Sequence, residues 1–228
     1  MPRALATRLA VGFALAFVVI LATLHVMEPE FSADGHLISE YELGPYGWLM
    51  SLAFFSLAAA SLSLWVAIRD DLRTTAGRIG TWWLLLVALA YLGAGLFYTD
   101  ESTGGLGLPA DPAAVNRGAV APTLNATLHG LSGVIVIASS PIVYTLLCRG
   151  LARNTRWAAK IRGLRWLTWL TWVGLVSFPI SLAVYSAFQQ PGSMDVRVVA
   201  SVANRFMVLT YAAWLAVAAY QSTRVLPP

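Results

Sequence analysis

At 228 residues, with 58% hydrophobic and 11% charged residues, the chain lies far from a soluble domain, where about a quarter of residues carry charge. A net charge of +4 and a pI near 9.5 would fit a nucleic-acid binder, yet the charges sort by position: 12 of the 15 Lys and Arg lie in alternate segments between long apolar stretches, and nine of the 11 Asp and Glu lie in the others. That sorting excludes a generally basic surface and indicates a polytopic membrane protein with its positive segments in the cytoplasm.

Six apolar stretches follow one another, at 9–27, 46–68, 80–98, 124–148, 166–188 and 198–221. Each is near or above the ~20 residues that cross the hydrocarbon core as a helix. A cleaved signal peptide has an apolar core of about 7 to 15 residues and a small-x-small cleavage site. The first stretch is longer and ends Leu24-His25-Val26-Met27, which predicts a retained helix. The expectation is an all-α, six-helix transmembrane bundle, one domain over 1–228, with both termini cytoplasmic. Arg outnumbers Lys 14 to 1 and Ala is abundant, which points to a bacterial source and hence to the inner or plasma membrane.

Trp65, Trp82, Trp83, Trp157 and Trp166 at the cytoplasmic border, with Tyr46 and Trp48 at the outer one, read as interfacial aromatic belts. Residues 149–165 hold six basic residues and are expected to form a short helix lying on the inner leaflet. Pro141 and Pro179 should kink their helices, with Ser139, Ser140, Ser177 and Ser181 re-satisfying the carbonyls that proline leaves without donors. Gly93, Gly95, Gly130 and Gly133 read as packing faces. The single Cys148 excludes an intramolecular disulfide and is expected to be a small buried hydrophobe.

Polar residues gather toward the outer side. The first outer loop carries Glu28, Glu30, His36 and Ile38-Ser39-Glu40-Tyr41 before Gly44-Pro45; the third stretch ends Tyr98-Thr99-Asp100; Asn125 and His129 open the fourth; Asn204-Arg205 lie about two turns into the sixth. An arginine inside hydrocarbon costs about 2.5–3.5 kcal/mol near the centre, so Arg205 must face the bundle and meet a carboxylate or carbonyls. Asp100 and Glu40 are the expected partners. The predicted site is one outward-opening polar pocket of Glu40, Asp100, His129, Asn204 and Arg205, with Arg205 holding an anionic group, Asp100 positioning it and His129 adding a hydrogen bond. A purely structural cluster locking the helices is the alternative. His129 with two carboxylates also spells part of a zinc ligand set, but no His-x-x-x-His pair, Cys cluster or HExxH accompanies it, so neither a metal nor a cofactor is expected.

The same residues carry a likeness. Ile38-Ser39-Glu40-Tyr41 with its glycine turn, Thr99-Asp100, the lone His129 and Asn204-Arg205 together resemble the bacterial six-span family catalogued as domain of unknown function 998. The resemblance covers about 9–220 and implies an integral membrane protein without an assigned activity; the Gly- and Pro-rich stretch at 102–123 is longer than the pattern needs. The expected function is non-enzymatic binding of a lipid headgroup or small anionic ligand, with membrane lipids as partners and no nucleic acid. A small-solute transporter and a membrane-embedded hydrolase or lipid-remodelling enzyme are the alternatives.

Overall fold

The structure, a computed structural model, describes residues 1–31, 35–100, 122–187 and 197–223. Six long helices make up most of it: α1 Arg3–Met27, α2 Gly47–Ile68, α3 Thr75–Leu96, α4 Leu124–Leu151, α5 Ile161–Ala187 and α6 Arg197–Thr223. Short 3-10 turns cover Pro29–Phe31, Ile38–Leu43 and Arg69–Asp71. No strand occurs among the described residues. All six helices are long and apolar enough to cross a membrane. Residues 102–121 of the Gly- and Pro-rich stretch lie outside the described residues, as does residue 188 at the end of the fifth apolar stretch.

Most helices extend past their apolar stretches at one end or both, because hydropathy marks only the hydrocarbon-facing part, whereas α2 starts one residue late and α3 stops two residues short. At α3, Thr74 accepts the Gly77 N–H at 3.1 Å and starts the helix five residues early; Thr123 caps α4 by accepting from Ala126 at 3.2 Å. Consecutive helices pack side by side, α6 returns to α1, and α2 also reaches α6, giving a closed ring. Within their most apolar windows α2 and α6 are 61% buried, against 28% for α1 and α5, so the first pair forms the centre and the second the rim. The Thr7 and Ser222 hydroxyls meet at 3.0 Å and bring the start of α1 to the end of α6. The start of α1 and the end of α6 thus lie at one end of the bundle, the termini end; the end of α1 and the start of α2, like the start of α6, lie at the far end.

At the termini end a buried knot replaces two sequence expectations. The Asp71 carboxylate takes both terminal nitrogens of Arg3, and its Oδ2 also accepts the Trp157 indole N–H at 2.9 Å. The Asn154 amide donates to the Asp71 carbonyl at 3.3 Å. Residues 152–160 are therefore a run of turns rather than a surface-lying helix, and 161–165 belong to α5. Trp157 is fully buried and is no belt residue. A carboxylate acceptor lets the whole indole leave the interface without orphaning its N–H. Trp48, Trp82, Trp166 and Trp169 remain largely exposed on the outside of the bundle.

Proline 141 is accommodated differently from expectation. Lacking an N–H, it leaves the Ile137 carbonyl without its helical donor. Ser140 donates instead to Val136, at 2.7 Å, and the Ile137 carbonyl accepts from the Tyr211 hydroxyl of α6 at 3.0 Å. A phenol from α6 fills the gap because the Ser140 hydroxyl is already turned to the Val136 carbonyl. Ser177 and Ser181 in α5 donate to the Gly174 and Phe178 carbonyls. Tyr211→Phe is expected to cost about 0.6 kcal/mol and at most about 1.7, the span of interhelical hydrogen bonds in membranes, read as the unfolding midpoint in mixed micelles.

Small residues set the helix spacing. A Cβ on Gly93 would stand 2.5 Å from the Ser132 hydroxyl, and one on Gly95 2.6 Å from the Phe55 ring of α2. Gly133 has nothing within 4 Å and is not a packing contact. Gly150 of α4 meets Gly77 of α3 backbone to backbone, where a Cβ would stand 2.6 Å from the Gly77 Cα. Cys148 is buried beside the Thr168 hydroxyl at 3.2 Å.

Candidate functional site

Arg205 lies eight residues into α6, ~12 Å along the helix at 1.5 Å per residue. It is only 7% exposed. Its Nε–H donates to His25 Nε2 at 2.9 Å, and Nη1 donates to the His36 carbonyl at 2.5 Å and the Ser201 hydroxyl at 2.6 Å. Nη2 reaches the Phe31 carbonyl at 3.4 Å, and the Tyr41 ring centroid lies 5.9 Å from the guanidinium carbon. Since His25 Nδ1 sits 2.7 Å from the Leu21 carbonyl, which only accepts, the proton lies on Nδ1 and Nε2 is free to accept from Arg205. Among the described residues, no carboxylate stands within ion-pair distance of the guanidinium.

The face of α6 that carries Arg205 also fastens the α1–α2 connection over the far end. Asn204 Oδ1 accepts the Ile38 N–H at 3.1 Å, and Ser201 donates to the His36 carbonyl at 2.6 Å. Glu40 folds back onto the Leu37 N–H at 2.7 Å and closes the 3-10 turn. Glu28 is fully buried, and its Oε1 accepts the Tyr46 N–H at 2.6 Å. The chain passes so close to this carboxylate that a Cβ on Gly44 would fall 2.3 Å from Glu28 Oε1, so a larger residue there would displace the Glu28 side chain. His25, Tyr41, Phe31 and His36 form a chain of ring contacts beside the guanidinium, with centroids 5.4–5.9 Å apart; Phe31 and His36 meet edge to face and the other two pairs are tilted.

A second buried group forms between the 3-10 turn and α4. His129 Nδ1 lies 2.6 Å from the Phe97 carbonyl, 3.1 Å from that of Ala94 and 3.3 Å from Glu42 Oε2. Two carbonyl neighbours make this nitrogen a donor. Glu42 Oε2 also accepts the Thr99 N–H at 3.2 Å, while Oε1 is buried without a partner. The Glu42 side chain is 2% exposed, and burial pushes its carboxyl from the usual 4.5 up to about 8, against the opposing pull of the Thr99 N–H. A folded pKa above the unfolded one contributes stability that is fully present below about 4.5 and is lost as pH rises through about 8. Thermal stability in detergent is therefore expected to fall from about pH 5 to pH 8, by at most ~1.4 kcal/mol per pH unit. Glu42→Gln should flatten that slope; an unchanged slope would place its origin elsewhere.

The five residues singled out in the sequence are thus distributed. Arg205 and Asn204 share one cluster with the turn that carries Glu40. His129 belongs with Glu42. Asp100 accepts the Thr123 N–H at 2.8 Å and the Thr123 hydroxyl at 3.0 Å, beside the α4 cap. Arg205's own partners include neither Asp100 nor Glu40; His25, Ser201 and two backbone carbonyls take that place. His25, Glu28, His36 and Glu42 were visible as polar residues in an apolar chain, but only the fold joins them to the cluster. Among the described residues, no three His, Cys, Asp or Glu side chains converge as a metal site.

Six apolar helices in a closed ring, with the buried charges of the described residues toward the two ends, define a multi-pass helical membrane protein. The family model described as "Protein of unknown function (DUF998)" matches residues 10–221, and the chain belongs to that family. No curated protein and no solved structure matches the chain at a significant level.

Proposed function

We propose that the protein binds a lipid headgroup or small anionic ligand at the far end of the bundle, with Arg205 as the anchoring cation and no chemistry performed on the ligand. The observation that carries this reading is the guanidinium itself: 7% exposed, with no carboxylate of the described residues in ion-pair range. A desolvated cation so placed gains most from an anion. Asn204 lies beside it in the proposed lining, and Glu40, Asp100 and His129 are its proposed polar rim, each oriented by the bonds described above. The orientation proposed with it puts the far end outside and both termini in the cytoplasm of a bacterial cell membrane, supported by the segregation of basic and acidic segments.

The saturation of Arg205 by the Phe31 and His36 carbonyls favours a second reading, in which the residue only clamps the α1–α2 connection. Native mass spectrometry of protein released gently from membranes separates the two. The binding reading expects an anionic adduct on the wild type, reduced roughly tenfold or more by Arg205→Lys, which keeps the charge but loses the planar fork. An adduct-free wild type, with Arg205→Lys merely lowering thermal stability, leaves the clamp.

A further inference from the structure

The termini end carries a cavity that borders the Asp71 knot and is separate from the far-end site. It has a volume of about 340 Å³ and lies between the α2–α3 turn and the α4–α5 turn. Arg73, Thr74, Arg153, Asn154, Thr155 and Arg156 line it, beside Asp70 and Asp71. Of the acidic residues, Asp71 is engaged by Arg3 and Trp157, and Asp70, 84% exposed and 3.8 Å from Arg69, is screened by solvent. The three arginines have no carboxylate within ion-pair range among the described residues, so the cavity is lined by unneutralised cations. Its wall is fixed: Asn154 is held between the Asp71 carbonyl and the Arg156 N–H, and Trp157 behind it is fully buried. The amino end of the 22-residue α3, capped by Thr74, adds the positive pole of its dipole.

A second cavity, of about 430 Å³, adjoins this one and shares Asp70 and Arg73 with it; Arg69 and Arg78 add two further cations to its lining. Trp65, Leu72 and Trp82 supply its apolar walls, with the two indoles 6.1 Å apart and Trp82 largely exposed to the surroundings of the bundle. A cationic cup beside an aromatic slot open to the outside matches a molecule with a phosphate at one end and hydrocarbon at the other. We propose that the two cavities form a binding site for an anionic phospholipid, its phosphate held by Arg73, Arg153 and Arg156 and its glycerol and upper acyl chain laid along Trp65, Leu72 and Trp82. Arginine suits the role because its fork bonds phosphate oxygens in pairs. Basic cavities at the ends of transmembrane helices are where anionic headgroups are recognised.

The full-length protein in neutral detergent is titrated with phosphatidylglycerol, phosphatidylcholine and inorganic phosphate, with bound lipid read by native mass spectrometry. Phosphatidylglycerol is expected to bind more tightly than phosphatidylcholine. The double variant Arg73→Gln, Arg153→Gln should weaken it roughly tenfold or more. Both residues are exposed, so the variant is expected to keep its thermal midpoint. Arg149→Gln, Arg162→Gln removes the same charge from exposed positions outside both cavities and should change binding little. Equal binding of the two lipids overturns the proposal, as does an equal loss in both double variants, which would mean diffuse attraction to a basic surface. Displacement of phosphatidylglycerol by inorganic phosphate at comparable concentration overturns the lipid as the source of the phosphate. Arg205 is intact in every variant, so failure here leaves the far-end reading untouched.

Discussion

Asp71→Ala is expected to lower the stability of the folded bundle by about 3 kcal/mol, one of the two largest single-residue effects argued for this chain. Removing one partner of a buried ion pair costs about 3–5 kcal/mol because the other charge is stranded. The Asp71 side chain is 7% exposed but that of Arg3 is 24%, so the guanidinium recovers some water and the Coulomb part is smaller. The Trp157 N–H makes up the difference: its ring is fully buried, and an orphaned donor costs about 1–3 kcal/mol. Asp71→Asn keeps an oxygen for the indole and should lose about half as much. Unfolding of both variants in detergent, followed by Trp fluorescence, checks the order; wild-type stability in Asp71→Ala would remove the knot from the account of the fold.

Gly150→Leu is expected to cost about 3 kcal/mol by forcing α3 and α4 apart. Overpacking costs about 1–3 kcal/mol where neighbours can shift. At Gly150 the obstacle is the Gly77 Cα at 2.6 Å, which has no rotamer to change, so the upper figure applies. Gly163→Leu is the matched control: its Cβ meets only Gln221 Nε2, at 3.7 Å, and its stability should stay within ~0.5 kcal/mol of wild type. Equal effects at both positions would attribute the loss to the added side chain rather than to the contact.

The all-helical six-span architecture was legible because each helix must hide its backbone from hydrocarbon, which writes its length into an apolar run. Several helix ends were not: Thr74 starts α3 five residues ahead of its apolar stretch by hydrogen bonding, which hydropathy does not register, whereas α4 starts where its apolar stretch does, at Leu124. Arg205 and Asn204 were legible as polar residues in an apolar stretch. Their partners were not, since Phe31 and His36 contribute backbone carbonyls, and a carbonyl has no sequence signature. Trp157 misled for a related reason: an indole between basic residues looks interfacial until Asp71, 86 positions away, is seen to receive its N–H. Glu42 was hidden among five acidic residues of one loop, distinguished only by the fold that buries it against His129.

The Thr7–Ser222 contact joins residues 215 positions apart, whereas Arg3 and Asp71 are separated by 68. During synthesis the opening helical hairpin can therefore latch as soon as its second member is inserted, long before the final helix leaves the ribosome. Until then α1 waits in lipid with Thr7 and His25 turned toward a neighbour not yet made. A nascent chain halted before its last span would display those polar groups to the bilayer, the sort of exposed mark by which a membrane protease could recognise unfinished protein.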